Sequence, residues 1–107
     1  ALEKVRAELG REYPLWINGE SHKTGDLLKS QNPSRPSEIV GSHHKATREL
    51  ATLAIESAHA YFSEYSRVPV SERILMAVRA AQIIRSRKLE FDAWLVLEAG
   101  KTWPEAE

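Results

Sequence analysis

Cysteine is absent from all 107 residues. That absence removes a disulfide framework, a thiolate zinc site and a thiol nucleophile together. An excess of charge of either sign is absent too, since 15 lysines and arginines balance 15 aspartates and glutamates. A neutral chain has no sequence-independent pull on nucleic acid or an anionic membrane, so neither is expected as a partner. No apolar stretch approaches the length of a bilayer span, and Ala1-Leu2-Glu3-Lys4 lacks the layout of a secretory signal. What is present is an ordinary hydrophobic fraction of 42%, enough for one small domain with a modest core and too much for a disordered chain. A soluble, cytoplasmic protein is expected.

Leu2, Val5 and Leu9 recur at helical spacing, and Gly10 is placed to stop that short helix. Leu15-Trp16-Ile17 is then rich in strand formers and runs into Asn18-Gly19, a strong turn or bulge signal. Thr24-Gly25-Asp26 marks a second turn, Leu27-Leu28-Lys29-Ser30 a returning strand, and Glu38-Ile39-Val40-Gly41-Ser42 a third strand. Between the last two, Asn32-Pro33-Ser34-Arg35-Pro36-Ser37 reads as a rigid loop, because its prolines fix φ and remove ladder donors. The expectation is one small antiparallel sheet.

From Thr47 the hydrophobic period becomes helical. Leu50, Ala51, Ala54, Ile55, Ala58, Tyr61, Phe62 and Tyr65 fall within about 140° of arc at 100° per residue, which predicts a helix buried along one face. Pro69 opens a second helix with Glu72 close behind. Ile74, Val78 and Ala81 share one side of it, and Met76, Ala80 and Ile83 lie roughly opposite. The first helix is expected to cover one of those sides, the sheet part of the other, and something outside the chain the rest. After Arg85-Ser86-Arg87-Lys88 a third helix carries Leu89, Phe91, Trp94, Leu95 and Leu97, and Gly100 stops it. Thr102 with Glu105 three positions on, and Pro104 between them, opens yet another helix. So short a helical start at the end of a chain implies that the chain is part of something longer. The fold class is an α+β fragment: short antiparallel strands followed by amphipathic helices.

Candidate chemistry is sparse. Gly100-Lys101-Thr102 imitates the end of a phosphate-binding loop, but that motif needs a glycine five residues earlier, where Leu95 stands. Helix stop followed by helix start explains the triplet. His43 and His44 are adjacent on a strand and point to opposite faces, so they cannot readily share an ion; with His22 and His59 they are read as surface residues. Arg85, Arg87 and Lys88 stand beside Glu90 and Asp92 with no aromatic platform, which suits a solvated helix junction. Glu49, Glu56, Glu64 and Glu72 lie outside the apolar surroundings that raise a carboxyl pKa for acid–base work. Glu98 differs, because it sits among Leu95, Val96, Leu97 and Ala99. A partly buried carboxylate there needs a partner, either a salt bridge or a structural cation, which makes Glu98 the one metal candidate. Trp16, Trp94 and Trp103 are expected to anchor packing. No catalytic and no cofactor-binding residue is found.

The order of motifs nonetheless resembles one family. Tyr13-Pro14-Leu15-Trp16-Ile17-Asn18-Gly19-Glu20 resembles the opening strand of aldehyde dehydrogenases. The Asn-Pro-rich turn at 32–41, the helix with Ala58 and Phe62, Pro69 with Arg73, and Leu97-Glu98-Ala99-Gly100-Lys101 follow in family order. The Arg35-Pro36-Ser37-Glu38 form of the turn and the tail from Gly100 to Ala106 are most similar to the branch that oxidises a semialdehyde of glutamate. Ser21-His22, Tyr65 and Val68 depart from the common pattern.

The resemblance implies part of the aldehyde dehydrogenase α/β fold, with residues 1–107 forming an N-terminal fragment of the NAD-binding domain and the catalytic domain absent. It implies an NAD-dependent oxidation of an aldehyde to an acid through a cysteine thiohemiacetal, followed by hydrolysis with a glutamate-activated water. In the family the nucleophile, the general base, the oxyanion-binding asparagine and the dinucleotide loops all lie downstream of the stretch matched here. No cofactor is therefore expected on this chain, and its implied partners are the remainder of a parent enzyme and further copies in a homo-oligomer. The family also places a structural sodium near the residue matching Glu98, with the Ser30 backbone nearby. The competing reading is a free-standing α+β interaction module without catalysis.

Overall fold

A computed structural model describes residues 1–107. In chain order it contains α1 (Leu2–Arg6), β1 (Arg11–Tyr13), β2 (Leu15–Ile17), β3 (Glu20–His22), β4 (Leu27–Asn32) and β5 (Arg35–His44). Then come α2 (Arg48–Tyr65), α3 (Val70–Ser86), α4 (Lys88–Ala99) and α5 (Trp103–Ala106). No helix is long and apolar enough to cross a membrane.

The α+β character is as expected, but the strands do not form one antiparallel sheet. They form two sheets, β1-β5-β4 and β2-β3. The reason is local. Asn18 and Gly19 both take positive φ, 50° and 78°, as a two-residue hairpin turn requires. Leu15–Ile17 therefore folds back on Glu20–His22, with Ile17 opposite Glu20, and is not free to pair with Leu27–Ser30. Pro14 separates this hairpin from a strand the hydrophobic pattern does not reveal, Arg11–Tyr13, which runs parallel to β5 with Arg11 opposite Gly41. The expected loop at 32–37 is shorter than its prolines suggest. Asn32 pairs with Arg35 and Gln31 with Ile39, so Pro36 lies within β5 where the register slips and no ladder donor is demanded of it. Asn32 holds the turn: its Oδ1 accepts the Ser34 N–H at 2.9 Å and its Nδ2 donates to Glu38 at 2.7 Å.

The core is small and one-sided. Val5, Ala93 and Leu97 are buried, with Leu2, Leu9 and Trp94 packed around them, so it lies where α1 meets α4. The buried stripe of α4 is thus Ala93-Trp94-Leu97. Leu89, Phe91 and Leu95, expected inside, are exposed. Gly100 takes φ 65° and ends α4, and a Cβ there would lie 2.8 Å from Pro33 Cγ, so the same glycine lets the helix end close on the β4–β5 turn.

The expected burial of the long helices is corrected most strongly. Neither α2 nor α3 contains one buried residue. Ile55 and Phe62 on α2 are exposed, as are Ile74 and Val78 on α3, so α2 does not cover the side of α3 assigned to it. Met76 and Ile83, expected to be covered in part by the sheet, are exposed as well. Trp16 also fails as an anchor, being 70% exposed. The consequence is visible in the dimensions. The radius of gyration is 17.2 Å, against about 13 Å for a compact domain of this size. The accessible surface is 8130 Å², where a compact monomer of this mass exposes about 6,000 Å².

Candidate functional site

Glu98 projects from the last turn of α4 toward β4, where the Ser30 hydroxyl donates to its Oε1 at 2.7 Å. Of the partners expected for this carboxylate, a salt bridge is not formed, since no basic side chain lies on it, and the Ser30 hydroxyl hydrogen-bonds it instead. Glu98 is also exposed rather than partly buried, because α4 turns Ala93, Trp94 and Leu97 inward.

Beside this pair lies an open cleft of about 310 Å³ lined by Glu8, Tyr13, His43, Arg87, Glu90 and Glu98 among others. His43 stacks on Tyr13 with ring centroids 5.2 Å apart. Glu90 receives Lys4 Nζ at 3.0 Å and is also hydrogen-bonded by the Arg87 guanidinium. Arg87 first and Lys4 second hold its carboxyl down at about 2, so it can neither take up nor deliver a proton near neutrality. Ser30 on Glu98 is the one hydroxyl hydrogen-bonded to a carboxylate at this cleft, and no further side chain hydrogen-bonds Glu98 to orient it as a base. No group of three or more His, Asp or Glu side chains converges as a metal site needs.

The remaining candidates stay apart. Glu49, Glu56, Glu64 and Glu72 are exposed on α2 and α3. Arg85 and Lys88 flank the α3–α4 junction, and Lys88 reaches Glu107 at 3.2 Å. At Thr102 the backbone N–H and hydroxyl both donate to Glu105, at 2.9 and 2.8 Å, so the triplet after Ala99 is a helix stop followed by a helix start. Asp92 is buried on α4 and its Oδ2 has no partner.

His44 is the residue the sequence reading misplaced. His43 and His44 do point to opposite faces, and His59 is exposed, but His44 is only 6% exposed. It shares a strand face with buried Val40, four residues earlier, and that period-two relation was the available signal. Its ring contacts Glu12, and Lys23 reaches the same carboxylate at 2.9 Å. Lys23 first and His44 second hold the Glu12 carboxyl below its usual range.

The groups around this cleft brace α1, α4 and β4 against one another. A dinucleotide cradle needs a glycine-rich turn between a strand and a helix N-terminus, and none of the strand–helix junctions here has one. The residues present do not fit that cofactor.

Relatedness supplies what the site cannot. Residues 16–107 match the aldehyde dehydrogenase family model, and the chain belongs to that family. Over its whole length it is 51% identical to the 1-pyrroline-5-carboxylate dehydrogenase of Geobacillus thermodenitrificans, covering 21% of that protein. It is 52% identical to 1-pyrroline-5-carboxylate dehydrogenase 1 of Halalkalibacterium halodurans, again covering 21%. The crystal structure of 1-pyrroline-5-carboxylate dehydrogenase from Thermus with bound NAD superposes with a TM-score of 0.94 at 44% identity, over 98% of this chain and 20% of that one. The chain thus spans about a fifth of the length of the curated relatives it matches.

Proposed function

We propose that residues 1–107 are the N-terminal edge of the NAD-binding domain of an NAD-dependent 1-pyrroline-5-carboxylate dehydrogenase. That enzyme oxidises L-glutamate γ-semialdehyde to L-glutamate in proline catabolism. The observation that carries this reading is near-50% identity to enzymes of that name, sustained along the entire chain. Within it, this segment is scaffold: α1, α4 and the three-stranded sheet form a braced unit, and the apolar sides of α2 and α3 pack on the rest of the enzyme. The reading includes a cytoplasmic location and a homo-oligomeric parent. It also retains Glu98 as the candidate ligand of a structural cation, joined by Ser30. If so, Glu98→Gln lowers thermal stability more in sodium buffer than in a large organic cation, and equal losses leave only the hydrogen bond to Ser30.

The test is paired. The longer protein should form NADH from 1-pyrroline-5-carboxylate, while the 107-residue chain alone should neither do so nor bind NAD stoichiometrically in a calorimetric titration. Micromolar NAD binding by the short chain would move the cofactor site into it, and a longer protein inert toward this substrate would remove the assigned activity.

A further inference from the structure

His44, at the end of β5, joins three segments through one imidazole. Its Nδ1 faces the backbone N–H groups of Thr24 at 3.0 Å and Gly25 at 3.3 Å. Its Nε2 lies 2.9 Å from Glu12 Oε1 on β1. Backbone amides can only donate, so Nδ1 must present its lone pair and Nε2 must carry the hydrogen that points at the carboxylate. The ring is thereby locked in one neutral tautomer by its neighbours on both sides.

The segment it holds is the link between the two sheets. Thr24 and Gly25 connect the β2–β3 hairpin to β4, and Gly25 takes φ 78° there. The Thr24 hydroxyl donates to the Lys45 carbonyl at 2.9 Å, and the Lys45 N–H donates to the Asp26 carbonyl at 2.9 Å. The charged groups around the ring are Glu12 from β1, Lys23 and Asp26 from the linking segment, and Lys45 beyond β5, with Lys23 on Glu12 and Lys45 on Asp26.

We infer that His44 is a proton-operated latch, holding the Thr24–Gly25 turn while neutral and releasing it when a second proton occupies Nδ1. That proton replaces the acceptor with a donor facing two N–H donors, and both amides lose their partner inside the fold. The compensating attraction of an imidazolium for Glu12 is weaker, because that carboxylate is solvent-accessible and already shared with Lys23. Acid therefore loosens the hairpin, and with it Trp16 and Ile17, which line a groove against Ala54, Ala58 and Tyr61 of α2.

The experiment is an NMR titration of the full chain with nitrogen-labelled histidine, read alongside amide hydrogen exchange. At neutral pH the His44 nitrogens should report Nδ1 bare and Nε2 protonated. As the second proton arrives, protection at Thr24 and Gly25 should fall together by roughly tenfold or more, the scale of losing such bonds. Glu12→Gln should keep that coupled loss, because the bonds that break are those to Nδ1. An Nδ1–H tautomer at neutral pH would overturn the latch. So would protection that survives imidazolium formation, a response abolished by Glu12→Gln, or a ring that stays neutral until the chain unfolds globally.

Discussion

The strand-and-α4 half of this molecule and the α2–α3 half are built from comparable hydrophobic patterns, yet only the first buries anything. Val5, Ala93 and Leu97 are nearly sealed, whereas eighteen and seventeen residues of continuous helix in α2 and α3 contain no buried side chain. An amphipathic stripe specifies a helix that wants a partner surface; it does not supply one. In α1 and α4 the partner is within the chain. In α2 and α3 it is not.

The difference is broken most directly by truncation in each half. Leu97→Ala should cost about 2–4 kcal/mol, the range for a buried leucine that leaves a cavity. Ile55→Ala, at a position 71% exposed, should change stability by less than about 0.5 kcal/mol. Urea melts of the two variants measure the contrast, and equal losses would mean that α2 is packed after all.

Gly100→Ala attacks the place where α4 meets the strands. It forces a left-handed conformation on a residue with a Cβ and drives that atom to 2.8 Å from Pro33. A loss of about 1–3 kcal/mol is expected, and Pro33→Ala in the same chain should recover the contact part while leaving the backbone part. Asp92→Ala should act in the opposite direction, raising stability by about 1 kcal/mol. It removes a buried carboxylate oxygen that has no partner and improves helix propensity. A destabilised Asp92→Ala variant would mean that the carboxylate is bonded in solution.

The smallest effect is titratable. Glu90 falls from the ordinary 4.5 to about 2 because Arg87, then Lys4, hydrogen-bond its charged form. A folded value below the unfolded one means the contribution is fully present above 4.5 and is lost as pH falls toward 2. Glu90→Gln should flatten the acid side of the stability profile in that window while leaving neutral pH less affected than Leu97→Ala does. An unchanged acid limb would show that the Lys4–Glu90 contact does not brace α1 against α4.

Local chemistry was legible wherever a few neighbouring residues decide the outcome. Asn18-Gly19 turns the chain, Gly10 and Gly100 take positive φ, and Thr102 with Glu105 caps a helix, all as their types and spacing imply. The motif order from Tyr13 to Lys101 likewise carries the family signature without reference to packing. Strand partnership was not legible. Arg11–Tyr13 has no apolar alternation, and its parallel pairing with Gly41–His43 depends on a glycine whose missing Cβ leaves room for the Tyr13 ring, 2.9 Å from where that atom would lie. His44 was read as a surface residue because its acceptors and donors come from residues twenty and thirty-two positions away.

What the sequence determined by itself was the helices from Thr47 onward, the tight turns and caps, and the family, because turns, caps and periodicity act over a few residues. What only the tertiary structure decided was which strands share a sheet, which stripe of α4 faces inward and which helices find no cover. Those outcomes turn on contacts between distant parts of the chain, and a hydrophobic stripe carries no address for the surface that buries it.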